Sequence, residues 1–166
     1  CRARAVVSKL PREIATRELS IVSKLLGWEA GCLETVSVDS AGQVLLNNRI
    51  AVNTPAIVQL TLRGLDGDDT FSIVGNHNLP SIVVEGDNPS ASDTLNFIAT
   101  GANLVTVDAE NGTVGEAGSG LVFLSGIEQL NVDANTASVT VLGTTGNDVG
   151  VYSPFTATSG RITELV

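Results

Sequence analysis

Methionine is absent from this chain, histidine and tryptophan occur once each, and aromatic residues make up only 4% of it. Each shortage removes a class of chemistry or of core. The single histidine, His77, lies in the polar stretch Gly75-Asn76-His77-Asn78-Leu79-Pro80 and is expected to be a solvated loop side chain. Cys1 and Cys32 make no disulfide framework and sit in no metal-ligand spacing, so free thiols are the expectation. No G-x-S-x-G elbow, H-E-x-x-H pair or phosphate-binding glycine loop occurs. No apolar run reaches the length of a membrane span. Lys9, Arg17 and Lys24 interrupt the early apolar stretches, which leaves no signal peptide to read. With no Met even at position 1, the chain is expected to be a fragment or processed product, any export signal lying in a longer parent.

Basic residues are scarce as well: nine Lys/Arg stand against eighteen Asp/Glu, for a net charge of −9. Nucleic acid is excluded as a partner by that balance, because neutralising phosphates needs a basic face. Six of the nine basic residues fall within residues 1–26, beside two Glu. The rest of the chain is therefore an acidic body with three Arg, and it needs cations as counterions or as bound metal.

What is present suits thin β layers. The 166 residues are one domain's length, long enough for a core. That core must come from Val, Ile, Leu and Ala, and 17 Gly supply the turns. Residues 11–26 predict one helix: Pro11 suits its first position, Gly27 its end, and Ile14, Ala15, Leu19, Val22, Leu25 and Leu26 form a stripe. The stripe is expected to pack on the β core as a cap for its end, a membrane-surface or targeting helix being the other use. From Cys32 onward the period changes to 2. Short strands alternate with turns at Asp39–Gly42, Asn47-Asn48 and Asn53-Thr54-Pro55. The division is thus a helical segment over 1–31 and an acidic β-repeat domain over 32–166.

The stretch Gly64-Leu65-Asp66-Gly67-Asp68-Asp69-Thr70-Phe71-Ser72 carries the most chemistry. It leaves a strand marked by Val58, Leu60 and Leu62 and enters another at Phe71-Ser72-Ile73-Val74. It resembles the nonapeptide of hemolysin-type (RTX) calcium-binding repeats, G-G-x-G-x-D-x-U-x. Gly64, Gly67, Asp69 and Phe71 match that pattern, and Leu65 departs from it. Partial echoes follow at Gly86-Asp87 with Asp93-Thr94-Leu95, and at Gly143 to Asp148, where Gly150 replaces the apolar residue. Gly64 to Gly86 is 22 residues, a plausible turn of a β solenoid, whereas Gly86 to Gly143 is 57 and breaks the period. Between them, residues 104–108 and 127–133 read as degenerate copies.

The resemblance implies bound calcium (Ca2+), held by backbone carbonyls and one Asp per turn where two turns stack. The implied metal residues are Gly64, Asp66, Gly67, Asp68, Asp69, Asp87, Asp93 and Asp148. Without metal, the same Asp and Gly would shape turns, the carboxylates capping free amides. The resemblance further implies a non-catalytic structural or adhesive repeat module of an exported bacterial protein, outside the cell or on its surface. Its expected partners are calcium, a cell-surface polysaccharide or protein, and neighbouring repeats. The expected fold is all-β, a parallel β-helix or β-roll-like solenoid with the N-terminal amphipathic helix, or else a β-sandwich. A calcium-dependent β-helix polysaccharide lyase is the catalytic alternative, with Arg49 and Arg63 as the only basic candidates in the first part of the body. A metal-free solenoid spacer is the other. Asn111-Gly112-Thr113 fits a glycosylation sequon, which matters only in a secretory host.

Overall fold

The computed structural model describes residues 4–6, 18–22, 35–46, 50–52, 58–65, 67–87, 92–154, 156 and 160–165. Short runs of alternating apolar and polar residues dominate them, and such runs fit a pleated sheet with one face inward. The strands are β1 (Arg4–Val6), β2 (Glu18–Val22), β3 (Thr35–Val38), β4 (Val44–Leu46), β5 (Ile50–Val52) and β6 (Gln59–Arg63). Next come β7 (Thr70–Val74), β8 (Ser81–Glu85), β9 (Thr94–Ile98), β10 (Val105–Asp108) and β11 (Thr113–Glu116). The last are β12 (Leu121–Ser125), β13 (Gln129–Asp133), β14 (Val139–Leu142), β15 (Val149–Pro154) and β16 (Gly160–Leu165). No helix occurs among the described residues.

Two mixed sheets hold all but the last two strands, and neither closes into a barrel. The first runs β1-β2-β6-β8-β12-β11-β10-β14 and the second β13-β9-β7-β3-β4-β5. Each contains a ladder of four parallel strands: β2, β6, β8 and β12 in one, and β3, β7, β9 and β13 in the other. Antiparallel turn-backs flank these ladders, with β1 on β2 and the meander β3-β4-β5 at one end. At the other end β10-β11-β12 is a second antiparallel meander, and β14 adds in parallel to β10. β15 and β16 pair only with each other, antiparallel.

The expected helix over residues 11–26 is corrected by β2. Residues 18–22 are extended and pair in parallel with β6, Leu19 facing Leu60 and Ile21 facing Leu62. The physical reason is local ambiguity resolved by a non-local partner. Leu19 belongs to the helical stripe but also forms a period of 2 with Ile21, Ile21 and Val22 are β-branched, and β6 offers a complete edge to pair with. Residues 11–17 and 23–26 lie outside the described residues.

Parallel register turns the inward positions into columns. Leu60, Ile82 and Val122 stack in one, and Leu62, Val84 and Leu124 in the next. Across the core stand Phe71, Leu95 and Leu130, then Val38, Ile73, Phe97 and Val132. Every member before the last strand of each column is buried, and Val122 is buried too, whereas Leu124, Leu130 and Val132 are only partly covered. Leu60 faces Ile82 at the 22-residue step that the glycines suggest, but Ile82 faces Val122 only 40 residues later. The β10-β11 meander is the cause of the longer step.

Phe97, with Phe71 the bulkiest of the fully buried side chains, stands in the middle of a column with no exposed surface. Phe97→Ala should cost about 3–5 kcal/mol, against less than about 1.5 for Val132→Ala at the half-open end of the same column. Midpoints of urea unfolding at a shared slope give both values.

Candidate functional site

Three strand endings share one chemistry. β6 runs into Gly64 and the chain re-enters β7 after Asp69; β8 runs into Gly86 and re-enters β9 after Asp93. β12 runs into Gly126 and re-enters β13 after Glu128. The parallel ladders stack these corners on one another. The glycine amides continue the first ladder, Gly64 N donating to Glu85 O at 2.8 Å and Gly86 N to Ser125 O at 2.9 Å. The acids link the second. Asp69 N donates to Asp93 Oδ1 at 2.7 Å, and Asp93 N donates to Glu128 Oε2 at 2.9 Å. Thr94 N in turn donates to Asp69 O, and Gln129 N to Asp93 O.

Two of these carboxylates are buried, Asp69 at 4% exposure and Asp93 at 1%. A buried carboxylate is costly unless it accepts hydrogen bonds, and charge-assisted bonds from amides are the strong kind. Glycine makes room for them. A β-carbon on Gly64 would lie 2.5 Å from Asp69 Oδ2, and one on Gly86 would lie 2.5 Å from Asp93 Oδ2 while colliding with Gly126 O. The residues after the first two glycines, Leu65 and Asp87, have φ of 76° and 68°, a left-handed conformation that side chains disfavour. Leu65 thus holds a left-handed shape that glycine would hold without strain.

The expected metal residues are divided among different tasks. Gly64, Asp69 and Asp93 belong to the stacked corner. Gly67, with φ of 111°, and Asp68 are exposed on the turn, and Asp66 lies outside the described residues. Asp87 points elsewhere and forms a two-toothed ion pair with Arg63, Nε to Oδ2 at 3.1 Å and Nη2 to Oδ1 at 3.0 Å. Asp148 is remote from the others in the ladders: its Oδ1 accepts the Thr144 hydroxyl at 2.6 Å, and its Oδ2 packs on Gly143. Calcium requires six to eight converging oxygens. Among the described residues no three acidic, histidine or cysteine side chains gather in that way. Asp93 Oδ1, Glu128 Oε2, Asp87 and Asp148 Oδ1 already accept hydrogen bonds from the protein.

One further expectation changes. His77 is not a solvated loop residue: it is 2% exposed, its Nδ1 lies 3.1 Å from Leu79 O, and its Nε2 is buried without a hydrogen-bond partner. Burial lowers its pKa, outweighing the Leu79 carbonyl that acts to raise it. The ring is therefore neutral, with Nδ1–H donating to Leu79 O. Arg63, a basic candidate of the lyase alternative, is held in ion pairs: Glu85 Oε2 sits 2.7 Å from its Nε beside the Asp87 pair. The hydrogen bonding that it donates to the Asp87 carboxylate is the main reason that its pKa is raised. Arg49 lies outside the described residues.

Sequence reasoning missed Gly126 and Glu128 as members of the corner. The signal was Ser125-Gly126-Ile127-Glu128 ahead of the alternating run Leu130-Asn131-Val132, with Glu in place of Asp and a shorter gap after glycine. It also missed Glu116, which is 2% exposed on β11. Its Oε2 accepts Thr100 N at 3.0 Å and its Oε1 accepts the Thr100 hydroxyl. Compared with protein-family models, curated proteins and solved structures, the chain matches none.

Removing the Asp93 carboxylate strands the Asp69 amide. Asp93→Ala should therefore lower stability by about 1–3 kcal/mol, while Asp93→Asn, which keeps an acceptor, loses less. Chemical denaturation of the two variants beside the parent separates them.

His77 gives a pH signature. Its folded pKa lies below the 6.5 of a solvated imidazole, so the unfolded chain takes up a proton first as pH falls. Stability is full above pH 6.5 and is lost below it, toward the folded value. Melting temperature should drop as pH is lowered through 6.5, before the carboxylates titrate, and His77→Gln should flatten that drop.

Proposed function

We propose that this chain is a non-catalytic structural module, a short parallel β-helix whose corners are held by acid–amide bonds. The observation that carries the reading is the repetition of one bond at successive levels, Asp69 N to Asp93 and Asp93 N to Glu128. In-register parallel ladders in both sheets support the coil, because strands that return in parallel at matched register are successive levels of one winding. A coil of this kind serves as a stiff spacer: its contacts run only between neighbouring levels, as in other repeat architectures.

Among the described residues the basic candidate for the catalytic alternative is already engaged. Arg63 is held between Glu85 and Asp87, and its raised pKa keeps it charged. The only imidazole is buried. Calcium is the live question for the turn that contains Asp66. In the structural reading, the carboxylates serve amides and the coil stands without metal.

Melting temperatures in calcium, magnesium and EDTA at matched ionic strength should coincide, and Asp93→Ala should lower all three alike. Calcium alone raising the melting temperature by a few degrees, with Asp69→Ala abolishing the rise, would replace the spacer by a calcium-binding module. Elimination products from polygalacturonate that vanish in Arg63→Ala would replace it by a lyase.

A further inference from the structure

We infer that β13 is a self-association edge, through which two copies of this chain pair antiparallel about a two-fold axis beside Asn131. β13 is the terminal strand of its sheet, with β9 as its one neighbour among the described residues. The main-chain bonds to β9 use alternate residues, as a parallel ladder requires. Gln129 N donates to Asp93 O at 3.0 Å, and Asp133 O accepts Ala99 N at 2.8 Å. By the same alternation, the N–H and C=O groups of Leu130 and Val132 point to the open side.

Those two residues are spaced to pair with their own copies. In an antiparallel ladder, residues that exchange both bonds alternate with residues that exchange none. Setting Leu130 against Val132 of the second copy, and Val132 against Leu130, satisfies all four groups. Asn131 then meets Asn131 as the non-bonded pair on the axis. Side chains agree with this register. Leu130 and Val132 both lie on the inward face, partly covered and packed against the core, so the second copy extends two apolar columns. Asn131 lies on the outward face, where its Nδ2 already donates to Asn96 Oδ1 at 2.9 Å, and a facing Asn131 continues that row of amides. Gln129 faces Asp133, so no like charges stand opposite one another.

The edge also lacks the usual guards. Sheet edges are protected by charged side chains, Lys above all, by Pro or by bulges. β13 reads Gln-Leu-Asn-Val-Asp and contains no Lys, Pro or bulge; its one charge, Asp133, sits at the strand's end, where it would face Gln129 of the second copy. β14, which ends the other sheet, reads Val-Thr-Val-Leu and is also unguarded. Its Val139 and Val141 are 40% and 37% exposed. The strand repeats the pattern, because Ser138 O and Leu142 O accept from β10 and its neighbours, leaving the main-chain groups of Val139 and Val141 outward. The seam is isologous and closes at two copies.

Sedimentation of the whole chain from low to high micromolar concentration tests the inference. A monomer of 17.1 kDa should give way to a species of twice that mass. Added salt should tighten the pair by screening the −9 charge on each copy. Asn131→Lys, which sets two ammonium groups against each other, should weaken pairing at least tenfold while leaving the circular dichroism unchanged. Asn131→Cys, in a Cys1→Ser/Cys32→Ser background, should cross-link the two copies under diamide. A non-bonded antiparallel pair has Cα atoms about 4.5 Å apart, within disulfide reach of about 4.4–6.8 Å. Asn96→Cys, one strand further in, should not cross-link. A chain that stays monomeric overturns the inference. So does a dimer that fails to cross-link through Asn131→Cys, and that arm decides the matter if Asn131→Lys does not fold.

Discussion

The bond from the Asp69 amide to the Asp93 carboxylate is the constraint on which the rest of the architecture depends. A carboxylate that is 1% exposed must accept hydrogen bonds or bring its full desolvation cost into the fold. The acceptor position is set to within one residue, because the donor is the main chain of the preceding level. That fixes where β7 lies against β9, and with it Phe71 on Leu95 and Ile73 on Phe97. A slip of one residue would turn both columns outward. Polar bonding at the corner and apolar packing along the strands therefore enforce the same register.

Glycine and aspartate at a turn are open to two uses, and the same side chains suit both. An Asp oxygen can accept an amide or coordinate a cation, and a glycine lets backbone approach either one. At the stacked corners the amides stand closest, with Gly86 leaving no space for a β-carbon beneath Gly126 O. Asp87 shows the other outcome for a surplus carboxylate in an acidic body: it takes one of the chain's few arginines as a neighbour on the surface. Exposed pairs of that kind contribute about 1 kcal/mol or less, so the corner, and not the ion pair, sets the local stability.

The all-β class and most strand positions were legible in the alternation of apolar and polar residues, since one inward face demands a period of 2. The 22-residue step was legible because Gly64 and Gly86 both end a strand at the same point of the ladder. Beyond it the period failed, because the β10-β11 meander adds length without adding a level to the first ladder. Glu128 was hidden by its side chain, one methylene longer than Asp, which reaches the Asp93 amide from a shorter turn. The helix expected over 11–26 was drawn from a stripe that a strand shares, and only the partner strand decides between them. His77 was misread because its neighbours in sequence are polar, while its neighbours in space are not named by sequence distance.

The corner bonds have a direction. In each, the donor belongs to the earlier level and the acceptor to the later one: the amide of residue 69 is completed by residue 93, and that of 93 by residue 128. The bonding is in this sense polar along the sheet: loss of a later acid strands an earlier amide, whereas loss of the Asp69 carboxylate leaves both of these bonds in place.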